Sequence, residues 1–150
     1  MGNEQQILSI LRQYRLRSTK TRRAVLGLFL QTHTPLSAQK ILWALGKISL
    51  TVDKTTVYRE LEKLATMGLL ERMRLQDRQQ YYELAARDHH HHFICTLCDQ
   101  VTDVEINESK ILATAEQMGQ KTGFHITSHV VEFYGQCATC LKAFLFRQSV

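Results

Sequence analysis

The sequence predicts an α+β chain in two parts, and three observations carry that prediction. Residues 4–67 show helical periodicity, with apolar positions three and four apart, and two short alternating segments follow. The second part mixes alternating segments with one more helical period. Between the parts runs His89–Cys98, HHHHFICTLC, in which four histidines lead into a Cys-x-x-Cys pair, and a second pair, Cys137 to Cys140, stands near the C-terminus. Charge divides at the same place. Residues 1–88 carry 15 Lys and Arg against 8 Asp and Glu, and residues 89–150 carry 4 against 6. A basic first half joined to an acidic, His/Cys-rich second half points to a nucleic-acid binder fused to a metal-binding module.

In chain order, residues 4–14 place Ile7, Leu8 and Leu11 at helical spacing, and the basic stretch Arg15–Arg23 follows. Thr19 or Thr21 caps a second helix that buries Val25, Leu26, Phe29 and Leu30 and ends near Thr32. Pro35 breaks the chain. Ser37 caps a third helix with Ile41, Leu42 and Leu45 inward, Trp43 reads as a packing residue, and Gly46 ends the helix. Asp53 is a good N-cap for a fourth helix, Lys54–Met67, which Gly68 terminates. Val57, Leu61 and Leu64 form its buried stripe, so Thr55, Thr56, Tyr58, Arg59 and Lys63 face outward. Leu70–Leu75 and Gln80–Leu84 read as a β-hairpin around Gln76-Asp77-Arg78-Gln79.

Helices followed by a two-stranded ribbon describe a winged helix-turn-helix, whose last helix enters the major groove of DNA. On the outward face, Arg59 suits guanine O6/N7, Tyr58 suits a base or a thymine methyl, and Thr55 and Thr56 suit phosphates. The expected domain is 1–86, with a hinge at 87–92 and a second domain at 93–150. In that domain Phe93–Cys95 and Val101–Ile106 read as strands flanking the first Cys pair. Glu108–Lys121 reads as a helix with Ile111, Leu112, Ala115 and Met118 on one face, and Phe124–Gly135 as a further strand. So small a sheet needs cover for its edge and its apolar face, and a homodimer is the simplest cover.

Two Cys-x-x-Cys pairs supply four thiolates at the spacing of a closed tetrahedral Zn²⁺ site. The competing reading, redox dithiols or disulfides, is weakened by the lack of a secretion signal, since intracellular thiols stay reduced. A redox protein using one Cys-x-x-Cys also leaves the second pair and the histidines without a purpose. Alternation along an extended segment sends His90 and His92 to one face and His89 and His91 to the other, so one stretch can feed two metal sites. A zinc hydrolase would need an open metal position and a general base, and the sequence contains no HExxH motif. No apolar run approaches a membrane span and MGNEQQ lacks a signal-peptide pattern, so the expected compartment is the cytoplasm, with no membrane partner and no small-molecule substrate.

Several stretches resemble the ferric uptake regulator family over nearly the whole chain. They are Arg17-x-Thr19-x-x-Arg22, Leu36-Ser37-Ala38, Thr56-Val57-Tyr58-Arg59, Tyr82-Glu83-Leu84, His89–Cys98, and Ser128-His129 through Tyr134-Gly135-x-Cys137-x-x-Cys140. The resemblance implies a dimeric, metal-activated repressor that binds double-stranded operator DNA, with Arg17, Thr19 and Arg22 in the DNA-binding set. It implies that Cys95, Cys98, Cys137 and Cys140 hold a structural zinc. Glu83, His90, His92 and Asp103 would form the regulatory site, and His89, His91 and His129 a further one. The further site usually takes a carboxylate, here Glu105 or Glu108. Pro35 stands where iron- and peroxide-sensing members usually carry a histidine, with His33 offset by two positions, and Glu71 follows the recognition helix as a carboxylate does in some zinc-sensing members. The pattern is therefore most like the zinc uptake regulator branch, with Zn²⁺ ahead of Fe²⁺ or Mn²⁺ as regulatory metal and iron or peroxide sensing as the alternative. His125 reads as an ordinary surface histidine.

Overall fold

The computed structural model of the chain describes residues 2–32, 34–75, 79–87 and 90–148. The expectations for His33, His89 and the turn residues 76–78 lie outside them. The chain forms two units, Met1–Arg87 and Asp88–Val150, each with its own three-stranded sheet.

The first unit runs α1 (Gly2–Gln13), α2 (Lys20–Gln31), β1 (Leu36–Ser37), α3 (Ala38–Lys47), α4 (Lys54–Thr66), β2 (Leu70–Leu75) and β3 (Gln79–Leu84). Side-chain caps start three of the helices. Thr19 accepts from the Arg22 N–H, Ser37 from the Lys40 N–H, and Asp53 from the Thr56 N–H at 2.8 Å. The hydroxyl and N–H of Thr56 together hold the Asp53 carboxyl below the usual carboxylate range. The helices pool their stripes into one core. Ile7 and Leu11 come from α1, Val25, Leu26 and Phe29 from α2, Ile41 and Leu45 from α3, and Val57, Leu61 and Leu64 from α4, all closed over by Leu69, Leu70 and Tyr82.

Three details depart from the sequence reading. Gly46 lies inside α3; Ile48 caps the helix, and Ser49 makes the left-handed step at φ 57°. Trp43 is 68% exposed rather than packed, with the Lys47 Nζ 4.9 Å from its ring. Leu36 and Ser37 form a third wing strand, pairing antiparallel with Tyr82 and Tyr81. Two residues are too short to show a period, and Ser37 serves both as strand and as helix cap.

The second unit runs β4 (His91–Cys95), β5 (Val101–Val104), α5 (Ser109–Thr122), β6 (Glu132–Gly135) and α6 (Ala138–Gln148). β4 lies at the centre, antiparallel to β5 and parallel to β6. His91 and His92, expected in a hinge, belong to β4. The long strand expected from Phe124 shrinks to Glu132–Gly135, since only those residues find a ladder partner, and α6 was not foreseen at all. The α5 face expected inside is only half covered. Ile111 and Ala115 are partly buried, but Leu112 and Met118 are 50% and 58% exposed.

Leu61 on α4 is fully buried. Leu61→Ala should destabilise the first unit by about 2–5 kcal/mol, read as a lowered urea midpoint.

Candidate metal centres and nucleic-acid interface

The parallel pairing of β4 and β6 brings the cysteines together. Cys95 ends β4 and lies in register with Gly135, which ends β6. Both strands therefore finish side by side, and a Cys-x-x-Cys turn leaves each. The first turn is closed by the Asp99 N–H donating to the Cys95 carbonyl at 3.0 Å, with Asp99 in the left-handed region at φ 56°. The second runs into α6, where the Leu141 N–H donates to the Cys137 carbonyl at 2.9 Å. Gly135 leaves no room for a side chain, because a Cβ there would lie 2.8 Å from the Phe93 ring.

The four sulfurs lie within 4.8 Å of one another, and no disulfide links them. Sulfurs about 2.3 Å from a tetrahedral zinc stand about 3.8 Å apart; Cys98 and Cys137 Sγ are 3.7 Å apart. The donor set fits the ion. The Cys137 N–H, donated at 3.3 Å to the Cys95 sulfur, is the main reason that this thiol is lowered to about 6. The neighbouring Cys98 and Cys137 push Cys140 up to about 12. A bound cation would favour the thiolate form of its ligands.

The alternation of β4 turns His91 and His92 to opposite faces. His91, opposite Val104, meets Glu108 at the start of α5 and His129 ahead of β6. His91 Nε2 lies 2.6 Å from Glu108 Oε1, and His129 Nε2 lies 3.3 Å from Glu108 Oε2. Of the two candidate carboxylates, Glu108 lies in this cluster, while Glu105 is exposed outside it. His92, opposite Asp103, has its Nε2 3.7 Å from the Asp103 carboxylate and its ring edge-on to His90 at 4.8 Å. Glu83 is buried on β3 of the first unit, 2.9 Å from the Arg87 guanidinium and in register with Glu71, which is exposed. Pro35 is fully buried, and His125 is exposed.

On the first unit, α4 turns Thr55, Thr56, Tyr58 and Arg59 to solvent, with the Lys54 Nζ 5.7 Å from the Tyr58 ring. Arg17 is exposed on the segment ahead of α2, and Thr19 caps that helix. Arg22 departs from its expected DNA contact. It is buried at 6% exposure, and its guanidinium is held within the fold by Glu60 and the Arg17 carbonyl. A basic lead-in segment gives no sign of which arginine turns inward. The acidic partners on α4 were the only available signal. Glu62, also on α4, accepts from the Tyr82 hydroxyl at 3.0 Å and from Arg72 at 2.8 Å, joining the helix to both long wing strands. Burial, reinforced by that carboxylate, raises the Tyr82 phenol well above its ordinary range.

The profile of the ferric uptake regulator family matches residues 13–134. The ferric uptake regulation protein of Neisseria meningitidis is 32% identical over 127 residues, covering 83% of this chain and 86% of that one. The zinc uptake regulation protein of Mycobacterium tuberculosis is 30% identical over 125 residues, covering 83% and 95%. A solved zinc uptake regulator complexed with zinc and DNA superposes at a TM-score of 0.59, with 25% identity over 97% of this chain and 99% of that chain.

The cysteine geometry predicts that Cys95→Ser or Cys140→Ser loses one tightly held zinc per chain and destabilises the second unit. Elemental analysis with thermal melting checks this; a folded variant with full zinc would refute it.

Proposed function

The chain belongs to the ferric uptake regulator family of metal-dependent transcriptional regulators, and on that premise we propose that it represses metal-uptake genes, binding operator DNA as a homodimer when zinc fills its regulatory site. The observation that carries the DNA-reading half is the α4 face, which exposes an arginine, a tyrosine and two threonine hydroxyls on a helix flanked by a wing. A second copy of the chain suits the groove of about 570 Å³ beside α5, whose lining includes Leu112, Ala115, Phe124 and Ile126. Among the described residues, Phe124 and Val130 are the most exposed large apolar side chains of that unit, at 75% and 81%.

Zinc is favoured by the donors. Pro35 removes a ligand position, and sites built from a few imidazoles and carboxylates suit a four-coordinate ion better than six-coordinate iron. In this reading Cys95, Cys98, Cys137 and Cys140 hold a permanent zinc. His91, Glu108 and His129, with His89, hold a further ion, and Glu83, His90, His92 and Asp103 hold the regulatory one. Glu83 is the penultimate residue of the wing strand β3, whereas His90, His92 and Asp103 belong to the second unit. Shared coordination by all four would fix one angle between the units, and hence one spacing of the two recognition helices in a dimer. Two half-sites are read together only when that spacing matches the helical repeat of DNA. A chain free to sample many angles binds with an affinity reduced by the fraction that is competent.

Titration of DNA binding with Zn²⁺, Fe²⁺ and Mn²⁺ tests the metal. Sub-nanomolar free Zn²⁺ should switch binding on; activation by Fe²⁺ alone would place the chain in the iron-sensing branch. His90→Ala and His92→Ala should stay folded and dimeric, keep the cysteine-bound zinc and lose metal-dependent DNA binding. His129→Ala should do less, because its cluster lies within one unit. Metal and DNA are coupled ligands, so operator must tighten metal binding by the factor by which metal tightens operator binding. Unchanged metal affinity in the presence of operator, with switching intact, would rule out this coupling.

A further inference from the structure

We infer that Arg22 and Glu60 form a positioning pair that locks the lead-in segment to the recognition helix, so that discrimination between DNA sequences depends on two residues that do not themselves touch DNA. The inference rests on the DNA-reading role proposed for α4. Arg22 stands on the inner face of α2, one turn ahead of Val25 and Leu26, and so faces α4. Its Nε and Nη2 donate to the two oxygens of Glu60 at 2.5 and 2.9 Å, and its Nη1 donates to the Arg17 carbonyl at 2.6 Å. Both side chains are nearly buried, at 8% and 11% exposure. One planar fork thus joins three places: α2, the backbone beside the exposed Arg17, and the residue following Arg59. A bidentate guanidinium–carboxylate pair fixes angle as well as distance, which a lysine ammonium does not. Charge supports the assignment. A bare carboxylate next to Arg59 would repel phosphate, whereas Glu60 is neutralised within the fold. Displacing the fork would tilt α4 and shift Arg59, since bidentate base contacts tolerate little misplacement.

The test uses the full-length, zinc-loaded chain and a duplex that the wild type selects from a randomised pool, compared with a scrambled duplex of equal length. Arg22→Lys keeps the charge and breaks the fork; Glu60→Gln keeps the shape and removes the charge. Each should lower the selected-over-scrambled affinity ratio at least fivefold. The salt dependence of binding to the scrambled duplex should not change, and the double variant should do little worse than either single one. A purely structural pair would lower the melting temperature and leave that ratio, measured well below the transition, within fivefold of wild type; that result overturns the inference. So does a salt slope reduced by about one for Arg22→Gln, the signature of a direct phosphate contact. If one variant fails to fold, the other carries the same readout. A wild type that selects no duplex would instead refute the DNA-reading role itself.

Discussion

The second unit depends on the meeting of Cys95 and Cys98 with Cys137 and Cys140. Among its described residues, the buried apolar side chains are Ile94, Cys95 and Val101, far fewer than the first unit pools from four helices. So few buried apolar side chains offset little of the entropy of ordering the chain. A zinc held by the four sulfurs, as proposed, would supply what the core lacks, by tying the end of β4 to the start of α6. Everything else on β4 follows from that anchorage. Once Cys95 is held beside Gly135, the register of the strand is set, and with it the faces to which His91 and His92 turn.

The first unit solves the opposite problem. Its core is ample, and what must be controlled is the attitude of one cationic helix. Two carboxylates on α4 bond it to its neighbours. Glu60 is held from α2, and Glu62 is held from β2 and β3 through Arg72 and Tyr82. An acidic residue on a helix proposed to read DNA looks like an error of charge until its partners are seen. Here both acids are neutralised by neighbours, and the outward face keeps Arg59 and Lys54.

The donor chemistry separates the proposed metal sites by task. Four thiolates close a tetrahedron and leave no position open, which suits a permanent ion that stabilises the fold. Imidazoles and carboxylates hold a metal less tightly and bind in competition with protons. A single strand contributes to both proposed kinds of site, since β4 carries His91 and His92 and ends in Cys95.

The sequence by itself determined the helices of the first unit, their caps at Ser37 and Asp53, the outward face of α4 and the two cysteine pairs. Each of these is a local matter of periodicity, capping chemistry or ligand spacing. Tertiary structure alone decided that Arg22 turns inward, that Glu108 rather than Glu105 joins His91 and His129, and that Leu36 and Ser37 add a strand to the wing. It also decided that Trp43 stays outside and that only Glu132–Gly135 forms a strand. The reason is common to all of them. A side chain's partner from a distant segment, or a strand's ladder neighbour, carries no period in the sequence. Which arginine is buried depends on where Glu60 lies, and which glutamate meets the histidines depends on the start of α5, positions that exist only once the elements have packed.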